Sequence, residues 1–285
     1  MELVELRAGA ARLELAPDLG GGIAGWSIAD GPVLRPRSDE VLSTRFARGL
    51  GAYPLVPFSN RIAHGRFTWD GRAYELPAPF GGNAIHGTGW ERAWSVAERS
   101  AGVALLALEY APSVDWPFAF SAEQRFTLAA DSLEVHMSVT NRHDAPAPFG
   151  IGLHPYFPRG AGCVLGFAAD NVWMSGPDMI PTGRVAVPAA WNHRDGKPFG
   201  SVAMDNCFDG WRGPVGLHWP ARGLTLQITA DPVFRHLVVF TPDGRDFLAV
   251  EPVTNVNDGI NRADGDMVTL APGETLAGTI RFALS

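Results

Sequence analysis

The chain has 285 residues, 46% of them hydrophobic and 19% charged, which is ordinary globular usage and enough to bury a sizeable core. Its formal net charge is −7 and no basic stripe stands out, so nucleic acid and anionic membrane surfaces are poor partners. The two cysteines, Cys163 and Cys207, make no disulfide framework and sit in no CxxC or Cys/His cluster, which fits a reducing compartment.

The chain opens with "MELVELRAGAARLEL", acidic as well as apolar, with no basic segment leading into an apolar one. No signal peptide and no run of membrane-spanning length is expected, so the reading is a soluble cytoplasmic protein. Strand-length apolar or alternating runs then follow: "ARLELAP", "GVALLALEYA", "SAEQRFTLA", "SLEVHMSVTN", "LTLQITA", "HLVVFT", "FLAVEP" and "TIRFALS". Turn signals separate them, as in "WDGRAY" and "TPDGRD", and the 33 glycines and 23 prolines suit many short strands. Helical patterning is confined to "SDEVLSTRFARG" (38–49), with Ser38 as the expected N-cap. No repeat, heptad or composition shift divides the chain. The expected fold class is all-β, a large antiparallel β-sandwich with decorated loops and little helix, in a single domain over 1–285.

Within this frame, "GIGLHPYF" (150–157) places a histidine at the end of a strand-like run. Alternation puts Phe149, Ile151 and Leu153 on one face and Gly150, Gly152 and His154 on the other. Glycine weakens a strand, and a common reason for it is close approach of a ligand or another backbone. The face reads as a cleft floor with the imidazole at its edge, although a lone histidine is more often structural. "FLAVEPVTNVNDGINR" (247–262) gives a parallel arrangement: Glu251 ends an apolar strand and Pro252 stops the ladder. An acid after "LAV" is expected to be buried and therefore to need a partner, either a structural arginine or a ligand.

Three further stretches carry candidate groups. "PLVPFSNRIAHGRF" (54–67) sets Asn60 and Arg61 between apolar residues, where the guanidinium either holds a carboxylate or binds hydroxyls with its planar fork. "GGNAIHGTGWERAW" (81–94) sets His86 before glycines that suit a loop approaching a ligand, and Trp90 beside polar groups suits a sugar face. "AMDNCFDGW" (203–211) offers Asp205, Asp209 and Trp211, the acids having turn-capping as their plainer role. For Asn255 and Asn257, loop shaping is the safer reading. His136 points away from the core face of "LEVHMSVT", with Glu134 and Ser138.

Together, "PFSNRI", "HGTGW", "GLHPYF", "MDNCF" and "FLAVEP", in this order across most of the chain, resemble the aldose 1-epimerase (galactose mutarotase) family. The resemblance implies the large antiparallel supersandwich of that family. It also implies cofactor-independent interconversion of the α and β anomers of a free sugar. Carried over by motif, His154 is the general acid and Glu251 the general base. Arg61 and His86 contact sugar oxygens and Asp205 holds hydroxyls, with Asn60, Trp90 and Trp211 as further binding candidates and no metal ligands. The "EPVTNVNDGIN" form departs from galactose-preferring members and is closer to a bacterial subgroup. The implied partner is a small monosaccharide, and the protein is expected to be a monomer or homodimer.

The chemistry needs one ionised and one protonated group, which ordinary values of about 4.3 for Glu and 6.5 for His satisfy. On that basis Glu251 is expected as carboxylate and His154 as imidazolium, on strand ends about one sugar ring apart across one cleft. Four rival functions make different demands on the sequence. A non-catalytic sugar-binding or regulatory protein would not need a matched acid and base. A metal hydrolase lacks HxH or HExxH spacing. A polysaccharide lyase would ask for a basic groove. A hexose-6-phosphate mutarotase would ask for a basic cluster, for which Arg159, Arg212 and Arg235 are the candidates.

Overall fold

The computed structural model describes residues 2–29, 31–198 and 203–285. Among these, two large antiparallel sheets of eleven and nine strands dominate. The runs picked out by alternation form strands, among them Ala11–Ala16, Val103–Tyr110, Phe120–Leu128, Ser132–Asn141 and Thr275–Leu284. The "DG" of "WDGRAY" closes the hairpin Arg66–Trp69/Arg72–Glu75, with Asp70 and Gly71 both at positive φ as a type I′ turn requires. The helix Asp39–Thr44 has Ser38 at its N-cap position, but the serine makes no side-chain cap bond, contrary to expectation.

Five adjacent strands of the larger sheet position the site: β1 (Ala52–Leu55), β2 (Gly152–Pro158), β3 (Met204–Asp209), β4 (His236–Thr241) and β5 (Phe247–Val253). They lie side by side in the order β1-β2-β5-β4-β3. Their alternation splits them cleanly. Leu153, Phe157, Phe208, Leu237, Val239, Leu248 and Val250 enter one buried cluster with Val135, Ile228, Ile280 and Phe282 of the smaller sheet. This is the inter-sheet core, and each such side chain contributes about 1.5–3 kcal/mol by leaving water. Phe157→Ala would cost about 3–5 kcal/mol there. The opposite face carries Tyr53, Tyr156, Cys207, Val238, Ala249 and Val253, which form a second, smaller cluster under the loops. His136 stands on the outward side of its strand, as its alternation predicts.

The strand ends differ from the sequence reading. β2 runs on through Pro155 to Pro158, and β5 runs on through Pro252 to Val253. The prolines therefore do not stop the strands. They do remove ladder donors. The β2–β5 pairing runs Gly152↔Val253 and then Tyr156↔Ala249, and is open between them. That register sets His154 across from Glu251, with a proline following each. "HP" and "EP" thus mark one place in the sheet where two neighbouring strands lose backbone hydrogen bonds together.

The glycine-cleared face is also not an open cleft floor. A Cβ on Gly150 would stand 2.2 Å from Asn255 Oδ1, and one on Gly152 would stand 2.7 Å from Val253 Cγ1. Close approach of the neighbouring chain, rather than of a ligand, is what the glycines permit. Gly87 behaves likewise: at φ +71 its Cβ would meet the Val56 carbonyl oxygen at 2.2 Å. That carbonyl accepts from the Thr88 and Gly89 amides, each at 2.9 Å, which closes the "HGTG" loop against β1.

Candidate active site

One row across the sheet brings the candidates together: Tyr53 pairs with His154, and Glu251 with Val238, which pairs with Cys207. His154 Nε2 lies 3.1 Å from Glu251 Oε1, and the two side chains are only 6% and 3% exposed. The expectation of a gap one sugar ring wide is therefore wrong: imidazole and carboxylate touch. Around them is a small cavity of about 130 Å³, lined by Asn60, Arg61, His86 and Asp205, and also by Arg48, Ile85, Tyr156, Val238 and Phe240.

The histidine is clamped by aromatic rings. Tyr53 stacks on it at 4.7 Å and 28°, Tyr156 lies 4.4 Å away, and His86 meets it edge-on at 5.4 Å. Packing of this kind fixes the rotamer, so the proton-bearing nitrogen is aimed before any ligand arrives. Three loops complete the walls. Asn60 and His86 both take positive φ, and the His86 amide donates to the Asn60 carbonyl at 2.7 Å. The Arg61 amide donates to Asn257 Oδ1 at 3.0 Å, and Arg61 Nη1 to Asn60 Oδ1 at 3.2 Å. Asn255 braces the same segment: its Oδ1 accepts from the Ser59 amide at 3.2 Å, and its Nδ2 donates to the Val256 carbonyl at 3.0 Å. Asn255 and Asn257 are thus loop-shaping residues, as expected from sequence.

Electrostatics in the pocket follow from burial. Desolvation holds His154 well below the ordinary imidazole value, and the Arg48 and Arg35 guanidinium groups push it the same way. Desolvation, with the neighbouring Asp205, raises Glu251 well above the ordinary carboxyl value, opposed by Arg61. His86 is lowered well below its ordinary value by burial, His154 and the arginines, and Asp205 is raised by burial. Burial therefore works against the expected carboxylate–imidazolium state, shifting both partners toward their uncharged forms. Burial likewise pushes the Cys207 thiol up, so the cysteine in this row is inert packing.

Two predicted residues lie elsewhere. Trp90 is buried behind Tyr53, at 5.9 Å, with its Nε1 donating to the Gly87 carbonyl at 3.1 Å; it does not line the cavity. Trp211 is carried past the end of β3 into a different and larger cavity, together with Asp209. Asp209 is buried and takes Arg184 Nε at 2.5 Å and Asn171 Nδ2 at 3.0 Å, so it is an ion-pair residue and not a turn cap. Arg212 and Arg235, weighed as phosphate ligands, also stand at that second cavity. In place of the tryptophans, Tyr156 and Phe240 supply the rings of the cavity around His154 and Glu251, and Arg48 supplies an extra cation. Tyr156 was legible, two residues after His154 on the same face. Arg48 had no sequence signal; its loop is held by Arg35, whose Nη2 donates to the Arg48 and Leu50 carbonyls, each at 2.9 Å.

Among the described residues, no group of three or more His, Cys, Asp or Glu is placed to hold a metal ion, and no helix is long and apolar enough to cross a membrane. Cys163 and Cys207 are both free and buried.

A family model described as aldose 1-epimerase matches residues 2–283. The protein YphB of Escherichia coli (strain K12) is 30% identical over 287 residues, covering 96% of this chain and 96% of its own. A crystal structure from Escherichia coli K12 superposes with a TM-score of 0.91 at 28% identity, covering 100% of this chain and 99% of that one. Galactose 1-epimerase from Lactobacillus acidophilus NCFM shares the fold, with a TM-score of 0.82 at 18% identity over 100% of this chain and 95% of its own.

Proposed function

The chain belongs to the aldose 1-epimerase family, and from that premise we propose that it interconverts the α and β anomers of a free aldose, with Glu251 as base and His154 as acid. The observation that carries this reading is the 3.1 Å contact between the two groups in a buried pocket. The hydroxyl oxygen O1 and the ring oxygen O5 of an aldopyranose are bonded to the same carbon. A base and an acid serving them must stand as close neighbours, not on opposite sides of a ring.

In the forward direction Glu251 accepts the O1 proton as the C1–O1 bond becomes a carbonyl. The C1–O5 bond breaks, and its electron pair takes a proton from His154. The open-chain aldehyde turns about C1–C2, and the same two transfers run in reverse to close the other anomer. One proton held between the pair is enough, because one member gains what the other gives. Burial sharpens both roles. A carboxylate whose proton affinity is raised is a stronger base, and an imidazolium whose affinity is lowered is a stronger acid. Burial thus shifts the pair toward its uncharged arrangement, and the charged arrangement is the reactive one. Arg61 favours the Glu251 carboxylate, and His86 and Asp205 supply hydrogen-bonding groups toward the sugar hydroxyls.

Polarimetry on freshly dissolved single anomers of D-galactose, D-glucose, L-arabinose and D-fucose, with EDTA present, tests the reading. Acceleration of at least one aldose is expected. Absence of acceleration for all of them would leave a phosphosugar mutarotase or a non-catalytic sugar-binding protein in its place.

A further inference from the structure

We propose that Arg35 is a positioning residue for the reaction: its guanidinium holds the Tyr156 ring and the loop carrying Arg48 against His154. The inference rests on the proposed function, in which His154 is the acid. Arg35 itself does not line the cavity, so it acts through the two residues that do.

Arg35 sits in the corner between two nearly perpendicular rings. Its guanidinium carbon lies 3.8 Å from the centre of the Tyr156 ring on β2 and 4.6 Å from that of Phe247 on β5, and those rings meet at 85°. A flat guanidinium stacks on such faces, whereas an ammonium is a more strongly hydrated point charge. The main chain adds a tie, since the Arg35 amide donates to the Tyr156 carbonyl at 2.8 Å. At the far end of the side chain, Nη2 donates to the Arg48 and Leu50 carbonyls, each at 2.9 Å. One residue thus joins β2, β5 and the loop before β1. Both groups that it holds face the histidine: the Tyr156 ring lies 4.4 Å from the imidazole, and Arg48 lines the same cavity. Among the described residues the Arg48 side chain has no hydrogen-bond or ion-pair partner, and its guanidinium lies 5.2 Å from the centre of the Phe80 ring. Its place therefore depends on the backbone that Arg35 grips.

A charge at this place is held at a cost. Taking a cation out of water is normally offset by a carboxylate. Half-buried Arg35 has no such partner among the described residues: two carbonyls and two rings hold it, and burial works against its charge. An uncharged side chain could tie two carbonyls without that cost, so the charge calls for a reason. Its position supplies one. His154 is faced by Glu251 from β5, Tyr53 from β1, His86 from its loop and Tyr156 from its own strand. Arg61 and Asp205 stand elsewhere on the cavity wall. After burial itself, the Arg48 and Arg35 guanidinium groups are what lower the proton affinity of the imidazole. Arg35 supplies one of these cations and holds the other in place, so the imidazolium is kept ready to release its proton.

The test follows two quantities against pH: kcat/KM by polarimetry, and the His154 imidazole resonances by NMR, assigned through His154→Asn. Arg35→Met keeps the packing and loses the charge and the donors. It should move the acid limb and the imidazole midpoint upward by roughly half a unit or more, the scale of a unit charge several ångströms away in a partly buried setting. It should also lower kcat/KM by about tenfold, the scale of lost hydrogen bonds to a charged group. Arg35→Lys keeps the charge without the planar stack. It should shift both midpoints less than Arg35→Met and still lose activity severalfold, and it stands in should Arg35→Met fold poorly. Arg48→Met should move the midpoints in the same direction, and the double variant should fall short of the two single effects combined, because Arg35 acts partly through Arg48. Midpoints unmoved in both Arg35 variants, whatever their stability, or fully additive effects in the double variant, would make Arg35 structural and overturn the proposal. If the unmodified protein accelerates no aldose, the proposed function fails by polarimetry alone, while the imidazole midpoints still decide whether Arg35 acts on His154.

Discussion

Two histidine–carboxylate pairs stand on the same face of the same sheet, and they differ in what surrounds them. His154–Glu251 is dry on both sides, at 6% and 3% exposure, and faces Arg48, Arg61 and Asp205. In His236–Asp266 the acid is 35% exposed, and Arg235 stands 3.6 Å from it. Burial lowers both histidines, but at His236 the Asp266 carboxylate opposes the shift, while at His154 two guanidinium groups add to it. A solvated acid anchors its histidine through a hydrogen bond. A desolvated acid with its own affinity raised shares a proton instead. On the proposed function, solvent access and neighbouring charge, not residue type, separate the structural pair from the reactive one.

The comparison breaks most decisively in the rate. Glu251→Gln and His154→Asn should each lower mutarotation by at least about 10²-fold while leaving the circular dichroism of the fold unchanged. A near-normal rate in either would remove the assignment. His236→Asn changes the other pair and should leave the rate close to that of the unmodified protein.

Stability should move the opposite way. Arg184→Ala strips the partner from buried Asp209 and should cost about 1–3 kcal/mol, read from urea unfolding. Glu251→Gln removes a buried carboxyl whose proton affinity burial raises, so its stability contribution falls as pH rises and the variant's unfolding midpoint at pH 8 should match or exceed that of the unmodified protein. A large loss in Glu251→Gln would mean that the pair is structural after all.

Acidity gives a third handle. His86, His154, His193 and His236 all have folded values below 6.5, so the unfolded chain binds more protons than the native one as pH falls through that value. The stability they carry is complete above 6.5 and drains away toward their depressed values. Melting temperature should therefore decline below pH 6.5, and decline less steeply in His154→Asn. The acid limb of kcat/KM should also lie below 6.5; a limb centred at or above it would contradict a lowered His154.

The smallest effect concerns Trp90. Trp90→Phe removes the hydrogen bond to Gly87 and should cost about 0.5–1.5 kcal/mol of stability, with KM for the sugar unchanged because the ring lies behind Tyr53. A marked rise in KM would return Trp90 to the sugar-binding wall.

Much of this was readable in advance because it is local. Period-two alternation in "GLHPYF" and "FLAVEP" separates the core side chains from His154 and Glu251, and the strands follow from the same pattern. The bracing role of Asn255 and Asn257 was also within reach, since asparagine in a loop turns its amide onto nearby backbone. The tryptophans misled because a sequence motif fixes only which residues are near one another along the chain. Trp90 and Trp211 do lie beside site residues in sequence, yet one packs behind the wall and the other passes into a second cavity.

By itself, then, the sequence determined the strands, their buried faces and the pool of groups able to move a proton, since each depends on neighbours within a few residues. Only the tertiary structure decided that His154 and Glu251 touch, that Arg48 joins them and that Asp209 does not. Those outcomes depend on strand order and on a shared register between distant segments. It also set the direction in which burial moves the pair, Glu251 up and His154 down. An ionisable group's proton affinity is set by how much water every packed element together excludes, and no single stretch of chain carries that information.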